Sequence, residues 1–519
     1  MGDRCDSDGR LKTAATPKGK TEYGYDPGGR RASMVYSAGT VLYGYDRDNN
    51  LSELTSVFNE VTEYQWDLAE RLTQVTLPNG SVVSLSYDMA DRLVYKGDPN
   101  QSAGIGFKYE LDMSGNRTTI TENDGSVTTN VFDNKNRLTR ELRTGLDPYV
   151  CNYAYDLNDS LISRDLPGGG NVTFYVDIMQ KITGGGYSWD TDGRLLSRIG
   201  GLGTVTFSYD YADRVSGMTV GSGATALTLA YHYDGDGGLQ WLQRNGLRSQ
   251  FLLDGRDVLR EWLPLTITRS TDTVALRPRD LVRLDLNVLS QQVVDYTHGV
   301  GLISQRITTL TTDPQTWSTD FFRWDGRATS RRQEDPSKAD TNDTIFDAYG
   351  LLRSTKTLTS AYGFVGEEGV RQEKGLAPDL VVPHHMRARM YDPLLGRFTS
   401  QDPVWDVNLY EYGRDNPWSN IDPGGMQTEG TSPGQVFDRL WGIISREYPD
   451  FGQQRQRYIK HLLRDIIHKH GGRWEDVSYG PARELWDILN SEHHQYVLQQ
   501  RGVAPWHPPQ PAWPQEIEV

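Results

Sequence analysis

An aromatic residue followed by aspartate recurs along the first half of the chain at an almost constant spacing. The recurring pairs are Tyr25-Asp26, Tyr45-Asp46, Trp66-Asp67, Tyr87-Asp88, Phe132-Asp133, Tyr155-Asp156, Trp189-Asp190, Tyr209-Asp210 and Tyr233-Asp234. The first four aspartates are 20, 21 and 21 residues apart, and Asp112 and Asp177 occupy two further positions of the series. A fixed period of this length is typical of repeat proteins, in which each unit buries its apolar face only by stacking on its neighbours.

The sequence between Arg71 and Asp88 shows what one unit is expected to form. Alternating apolar residues stand on either side of Pro78-Asn79-Gly80. Asn-Gly between two such runs favours a β-hairpin, because both residues tolerate a positive φ. We expect the aspartate to cap the next turn, and the aromatic ring to pack on its equivalent in the neighbouring unit. The sequence therefore predicts a mainly β protein, an antiparallel β-hairpin repeat array with one hairpin per 20 to 24 residues.

Changes in this pattern divide the chain into segments. Residues 1–292 are predicted to form the repeat array, and residues 293–426 a β region that ends in a motif rich in Asp-Pro pairs. Residues 427–433 are polar and are predicted to be a linker. In residues 434–502 the apolar positions recur with the period of a helix, which predicts a small α-helical domain. Residues 503–519 form a Pro-rich tail.

Composition restricts the possible function classes. The formal net charge is −15 and the isoelectric point is about 5.2, which excludes a chain that coats nucleic acid along its whole length. Cys5 and Cys151 are the only cysteines, so there is neither a disulfide framework nor a cysteine-based zinc site. No run of 18 apolar residues occurs, and we expect no membrane span. Because the first residues already look like repeat sequence, we expect a fragment of a longer protein or export without a cleaved signal, and a secreted or cell-surface location.

A second pattern, which does not repeat, occupies residues 387–426. It contains three Asp-Pro pairs, whose aspartates are Asp392, Asp402 and Asp422. Asp before Pro is a strong turn signal, because Pro fixes its own φ and keeps the preceding residue out of the helical region. Carboxylates placed in this way are also candidates for general acid–base chemistry, in which one is ionised and the other protonated.

The order of residues in this segment resembles a known motif. It reads Arg-x-Arg-x-Tyr-Asp-Pro-x-x-Gly-Arg-Phe-x-x-x-Asp-Pro, then Asn-x-Tyr-x-Tyr-x-x-x-Asn-Pro and Asp-Pro-x-Gly. This is similar to the core motif that closes proteins of the RHS, or YD-repeat, family, which includes bacterial polymorphic toxins and the C component of insecticidal toxin complexes. The resemblance covers residues 20–426 and does not extend to the last 93 residues. It implies a closed β-shell.

The resemblance also implies a self-cleavage reaction. Members of the family use aspartates to cut their own chain after Asp-Pro-x-Gly-Leu. Here the cut would fall between Met426 and Gln427, with Met in the place of Leu. Asp402 matches the catalytic position after the Gly-Arg-Phe element, and Asp422 begins the loop that would be cut.

The second acid of the reaction is less well defined. In the family it stands just before the Gly-Leu pair, here residues 375–376, where this chain has no aspartate. Glu373, Asp379 or Asp392 is left for this role, unless the activity is lost.

Three arginines of the motif are expected to support the site by lowering the pKa of an adjacent carboxyl. They are Arg387, Arg389 and Arg397. In the competing interpretation, the Asp-Pro aspartates only form turns and caps.

The predicted helical domain contains a possible second site. Six of the ten histidines follow Met426, and the best candidates are His468, His470, His493 and His494. Such residues can act as bases or bind a metal ion. On a helix, however, solvated or capping histidines are more common, so we assign neither a metal nor a cofactor.

Two functions from different classes fit the sequence. In the first, the β array carries residues 427–519 as a variable effector against neighbouring cells, with secretion machinery or a toxin-complex partner and an immunity protein as further partners. In the second, the protein is a surface or adhesive repeat protein, with carbohydrate as a possible partner and a helical docking tail that has no activity. Growth arrest by residues 427–519 expressed alone in bacteria would favour the first.

Overall fold

The computed structural model describes residues 4–426 apart from short internal segments. These segments are 17, 99–104, 178–179, 185, 201–202, 224–225, 236, 256, 265, 269–272, 276–288, 291, 311–314, 355–356, 375–380 and 403–407. Asp379, Gln427 and the four candidate histidines, His468, His470, His493 and His494, lie outside the described residues, as do the predicted linker, helical domain and tail.

Within the described residues, seventeen strands form one antiparallel sheet in which each strand pairs with the next along the chain. The strands are β1 (Arg4–Cys5), β2 (Leu11–Thr16), β3 (Gly19–Tyr25), β4 (Arg31–Tyr36), β5 (Gly39–Tyr45), β6 (Leu51–Thr55), β7 (Val61–Trp66), β8 (Leu72–Thr76), β9 (Val82–Tyr87), β10 (Leu93–Gly97), β11 (Gly106–Leu111), β12 (Arg117–Glu122), β13 (Val127–Phe132), β14 (Leu138–Thr144), β15 (Tyr149–Tyr155), β16 (Leu161–Asp165) and β17 (Asn171–Thr173). The hairpin array predicted from the repeat period is therefore confirmed.

A second antiparallel sheet, of thirteen strands within the described residues, also pairs each strand with the next along the chain, except that β27 pairs with β31. It consists of β20 (Ser188–Trp189), β21 (Leu195–Gly200), β22 (Gly203–Tyr209), β23 (Val215–Val220), β24 (Leu227–Tyr233), β25 (Leu239–Arg244), β26 (Leu247–Asp254), β27 (Asp257–Trp262), β31 (Gln292–Gly299), β32 (Gly301–Thr309), β33 (Thr316–Trp324), β34 (Ser330–Glu334) and β35 (Asp340–Asp343). Two short strands, β18 (Tyr175–Val176) and β19 (Ile182–Thr183), pair with each other; along the sequence they follow the first sheet and precede the second. A separate small sheet consists of β28 (Thr266–Thr268), β29 (Thr273–Ala275) and β30 (Leu289–Ser290).

The last part of the described chain departs from this regular pattern. Among the described residues after β35, the elements are the short strands β36 (His384–Met386), β37 (Arg389–Asp392) and β38 (Arg397–Phe398) and the 3-10 turns Gly366–Glu368 and Gly413–Asp415. The pattern of one hairpin per unit therefore does not continue through the described residues of this segment. Its closely spaced Asp-Pro and Gly turns reverse the chain before a long strand ladder can form. Among the described residues, no helix is long and apolar enough to cross a membrane.

The repeated aspartate caps the turn between two strands, as predicted. Asp67 Oδ1 accepts hydrogen bonds from the backbone N–H groups of Ala69 and Arg71 at 2.9 and 3.0 Å, and its Oδ2 accepts one from Arg71 Nε at 2.8 Å. Glu70, the fourth residue of the turn, has a φ of 61° and donates its N–H to the Asp67 carbonyl. The same set of contacts recurs in other turns of both sheets, at Asp26, Asp88, Asp133, Asp190 and Asp210.

The aromatic residue links each unit to the one before it. Tyr87 donates its hydroxyl to the carbonyl of Leu72 at 2.9 Å, and the guanidinium of Arg71 lies over its ring at 4.9 Å. The same Arg71 also reaches Asp91 in the next turn at 2.6 Å. The Tyr87 ring therefore packs against the guanidinium of Arg71, which is bound by Asp67 of the same turn. We had expected the ring to pack against the equivalent ring of the neighbouring unit. A cation over the ring face and an acceptor for the hydroxyl satisfy both parts of tyrosine.

The core lies on both faces of the second sheet. One face packs against the early strands of the first sheet through Leu252, Leu259 and Ile303. The other face packs against residues 387–426, the motif segment, which contributes Met390 and Leu395. Strands β11–β16 of the first sheet pack against that same segment. Because burial of apolar surface is the main favourable term in folding, the motif segment is part of the core and not an appendage.

Candidate functional site

Strands β36–β38 hold the centre of the motif in one small buried sheet. Tyr391 pairs with Phe398 and Asp392 with Arg397 across β37 and β38. The turn between them closes with a hydrogen bond of 2.9 Å from Gly396 N to the Asp392 carbonyl. Gly396 has a φ of 65°, in the left-handed region, which a side chain rarely adopts.

The close approach of a neighbouring strand makes the same glycine necessary. A Cβ at Gly396 would lie 2.7 Å from Leu161 Cδ2. We expect Gly396→Ala to lower the free energy of unfolding by about 2 kcal/mol, through left-handed strain together with overpacking. Urea unfolding measures this change. Gly125→Ala is the matched control, because Gly125 has a φ of 85° but a Cβ added there would meet no atom within 4 Å; an equal loss in both variants would contradict the packing contribution.

Asp392 has a buried partner outside the motif. Its side chain is fully buried and forms an ion pair with Arg198, which also donates to the Val381 carbonyl at 3.1 Å. Its Oδ1 accepts the N–H groups of Leu394 and Leu395 at 3.0 and 3.4 Å. These contacts are those of a turn residue held by an ion pair.

Asp422 forms the last described turn of the chain. Its Oδ1 accepts the Met426 N–H at 3.2 Å, and its carbonyl accepts the Gly425 N–H at 3.3 Å. Arg389 lies 3.3 Å from Asp422 Oδ2 and also donates through Nε to the Gly425 carbonyl. The Arg389 guanidinium lies over the ring of Phe398 at 3.6 Å. The loop proposed for cleavage is thus held at a defined place, and Met426 is half-buried at its end.

Asp402 has a different local setting from the other two motif aspartates. It is half-buried, and its N–H donates to the Leu409 carbonyl at 2.8 Å. Asp402, Asn408 and Leu409 belong to a second compact unit, whereas the rest of the described motif belongs to the first.

Glu373 lies in another part of the first unit. Its largely buried side chain is 3.8 Å from Arg244. Burial raises the pKa of Glu373, and Arg244 and Arg371 oppose this rise. The contacts of Glu373 therefore differ from those of Asp392, and the structure does not bring these two predicted acids together as a hydrogen-bonded pair.

The three predicted supporting arginines have separate roles. Arg389 contacts Asp422, as described. Arg387 donates to Asp257 and to the Glu368 carbonyl, each at 2.9 Å. Arg397 is buried and donates to the carbonyls of Gln180 and Leu161 at 3.0 and 3.2 Å. The latter two arginines tie the motif to other parts of the first unit.

Sequence reasoning missed a buried charge network around Asp347. Asp347 Oδ2 contacts Arg164 at 2.6 Å and Arg353 at 2.7 Å, and all three side chains are buried. Glu141 lies nearby and accepts the Ala348 N–H at 2.9 Å. Burial raises the pKa of Glu141, and Asp347 raises it further. The only sequence signal was Phe346-Asp347, which has the form of a repeat turn.

Asp415 is a second acid that sequence reasoning missed. It is 2% exposed, in the 3-10 turn before Asn416. Burial raises the pKa of Asp415 well above its ordinary range. Within the part of the chain that the structure describes, no group of three or more His, Cys, Asp or Glu side chains is arranged to hold a metal ion.

Comparison with known proteins identifies the repeat. The model of the RHS repeat matches residues 6–41, 45–82, 71–103 and 189–225. The chain contains RHS repeats. The matched residues fall in both large sheets, and each match includes at least one of the turns described above. No curated protein matches the chain.

Several solved structures share the fold of this chain. The crystal structure of TcdB2-TccC3-Cdc42 superposes with a TM-score of 0.62 at 16% identity, covering 83% of this chain and 22% of that chain. TcdB2-TccC3 without its hypervariable C-terminal region gives 0.62 and 16%, with 79% and 22% covered. The Tc holotoxin pore from Photorhabdus luminescens gives 0.58 and 14%, with 82% and 24% covered. This RHS-repeat protein therefore spans between a fifth and a quarter of the chains it resembles.

Proposed function

We propose that this RHS-repeat protein is a toxin-associated β-shell that carries residues 427–519 and releases them by cutting its own chain after Met426. The observation that carries the proposal is the anchored turn Asp422–Met426. It is the last described turn, it is tied into the core by Arg389, and the composition of the chain changes immediately after it. A cut beyond an anchored turn leaves the shell folded and frees only the segment that follows.

The chemistry requires one basic and one acidic group. We assign Asp402 the role of the base that takes a proton from water, whose oxygen then attacks the Met426 carbonyl carbon. The bond between that carbon and the Gln427 nitrogen breaks, and a protonated acid delivers a proton to the leaving amine. Glu373 suits the second role, since its raised pKa favours the protonated form. Asp392 suits it less, because its side chain is already engaged by Arg198 and by the N–H groups of its own turn.

Partner and location follow from the same proposal. The similar structures are TcdB2-TccC3 assemblies, which supports a partner chain of toxin-complex type and a role outside the producing cell. The segment 427–519 would be the effector. Expression of residues 427–519 in bacteria tests that part: growth arrest is expected, whereas harmless accumulation would favour a docking tail.

Self-cleavage has a direct test. Purified wild-type protein is expected to yield two fragments of roughly 48 and 11 kDa from the 58.6 kDa chain, in proportion to their lengths. Mass spectrometry should place the new ends at Met426 and Gln427. Asp402→Asn is expected to leave one intact chain, because an amide cannot act as the base.

Asp406→Asn is the matched control, since Asp406 stands in the same loop sequence as Asp402. It should cleave like the wild type. A wild-type chain that stays intact for days at neutral pH would contradict the proposal. Cleavage that persists in Asp402→Asn would show that another residue is the base.

A further inference from the structure

One position of the repeat unit carries an aromatic residue that belongs to the core. It stands three residues before the turn aspartate. Nine of the eleven aspartates of the series have an aromatic residue there, namely Tyr23, Tyr43, Tyr64, Tyr109, Tyr153, Phe174, Tyr187, Phe207 and Tyr231. Most of these rings are buried. The two exceptions are Leu85 and Asn130, so these two units lack a ring that the others place in the core.

The two exceptions are packed differently. Asn130 is buried, and its amide donates to the Arg117 carbonyl at 2.8 Å. Leu85 lies in β9 and is only half-buried, as are the other residues of β8 and β9 apart from the exposed Ser86. In the preceding strand, β7, buried and exposed residues alternate, and Tyr64 is one of the buried ones. The inner face of β8 and β9 is therefore covered less deeply than that of β7.

A cavity of about 70 Å³ lies against this inner face. Its apolar wall includes side chains from both large sheets, among them Val75, Val83, Leu85, Ile303, Phe322 and Trp324. Two charged side chains, those of Lys96 and Glu367, also line it. They are 13% and 17% exposed, and Lys96 Nζ donates to Glu367 Oε2 at 2.9 Å. An apolar cavity with a few polar groups at defined places is typical of a binding site for a small molecule.

Another repeat unit shows what a buried ion pair of this kind binds. Tyr23 occupies the position equivalent to Leu85, and its hydroxyl donates to Asp254 Oδ1 at 2.8 Å. Asp254 also forms an ion pair with Arg31. The pair of Lys96 and Glu367 corresponds to the pair of Arg31 and Asp254, but Leu85 has no hydroxyl to donate to it. The cavity thus has the surroundings of a tyrosine side chain without the tyrosine.

We propose that this cavity binds a small phenol, whose ring takes the place of the missing tyrosine ring and whose hydroxyl donates to Glu367. A neutral hydroxyl suits an ion pair, because it can donate to the carboxylate and accept from the ammonium. A closed cavity of about 150 Å³ holds benzene, so the cavity here encloses about half of a ring. The edge that carries the hydroxyl enters first, and the opposite edge lies at the half-buried wall of β8 and β9.

The experiment titrates the purified full chain with p-cresol, which is the tyrosine side chain as a free molecule, and with toluene, which lacks the hydroxyl. Saturation-transfer NMR measures both affinities. We expect p-cresol to bind about 10-fold more tightly, because its hydroxyl forms a hydrogen bond to a charged group. Leu85→Tyr and Leu85→Phe should abolish binding, since each fills the cavity with a ring. Ser86→Tyr is the matched control, because it adds a tyrosine at the exposed neighbouring position and should bind like the wild type.

The outcomes decide the proposal independently of self-cleavage, provided that all variants show native circular dichroism. Loss of binding in both Leu85 variants but not in Ser86→Tyr supports the site. A wild type that does not bind p-cresol at millimolar concentration, equal affinities for p-cresol and toluene, or undiminished binding in both Leu85 variants overturns it. N-acetyltyrosine amide tests the source of the phenol. We expect it to bind more weakly than p-cresol, since its backbone groups exceed the cavity; equal binding would point to a tyrosine of a peptide and contradict a free phenol.

Discussion

Asp347→Ala is expected to lower the free energy of unfolding by about 3–5 kcal/mol, because it leaves Arg164 and Arg353 buried without their shared carboxylate. The Asp347 side chain is 0% exposed. It also accepts the backbone N–H groups of Tyr349 and Leu351, each at 3.0 Å. Burial raises the pKa of Asp347, but the two arginines lower it by more than that. The pKa therefore lies below its ordinary value, and the group is ionised.

Urea unfolding followed by fluorescence would measure this loss. Asp91→Ala is the control, since Asp91 also pairs with an arginine, Arg71, but its side chain is 74% exposed. Exposed pairs contribute little, and we expect a change below about 1 kcal/mol. If Asp347→Ala behaved like Asp91→Ala, the buried network would not stabilise the fold.

The second large effect is a loss of stability in acid that depends on His384. The His384 ring is buried against Phe364 and Tyr391 in the small sheet that carries the motif. Burial lowers its pKa from 6.5 to about 4. The unfolded chain therefore binds a proton at a higher pH than the folded chain. Stability is unaffected above pH 6.5, falls as the pH drops below this value, and has lost about 3 kcal/mol near pH 4.

The difference between two pH profiles isolates this histidine. His384→Phe keeps an aromatic ring at the position and removes the titration, so its unfolding free energy should vary less between pH 6.5 and 4 than that of the wild type. Glu122, whose pKa is lowered to about 2, weakens the fold only at lower pH, as the pH falls from 4.5 through 2. Parallel wild-type and His384→Phe profiles would contradict the assignment.

The repeat turns could be predicted because their contacts are local. The aspartate, the capped N–H groups and the arginine of a turn lie within five residues of one another, as at Asp67–Arg71. The sequence therefore encodes the turn without reference to the rest of the chain. The same holds for the hairpins, since the strands of the two large sheets pair with the next strand along the chain, apart from β27 with β31. The ring partner of Tyr87 was harder to predict, because the adjacent unit provides it.

The candidate site could be predicted only in part. Asp392 and Asp422 lie in turns, as the Asp-Pro pattern predicts, but nothing in the sequence shows which arginine each one meets. Arg198 precedes Asp392 by almost two hundred residues, and Arg389 reaches Asp422 from another strand. Two roles stay predictions. One is cleavage by Asp402 and Glu373 at Met426. The other is a site in the C-terminal region formed by His468, His470, His493 and His494.

The sequence by itself determined the repeat period, the hairpins, the capped turns and the position of the motif at the end of the β region. All of these features depend on contacts within one repeat unit or between adjacent units, where residues that are close in sequence are also close in space. Only the tertiary structure decided that the motif segment packs against both sheets and that Asp347, Asp392 and Asp422 receive arginines from distant strands. Those contacts depend on which buried surfaces meet, and a buried carboxylate requires a nearby cation wherever in the sequence it comes from.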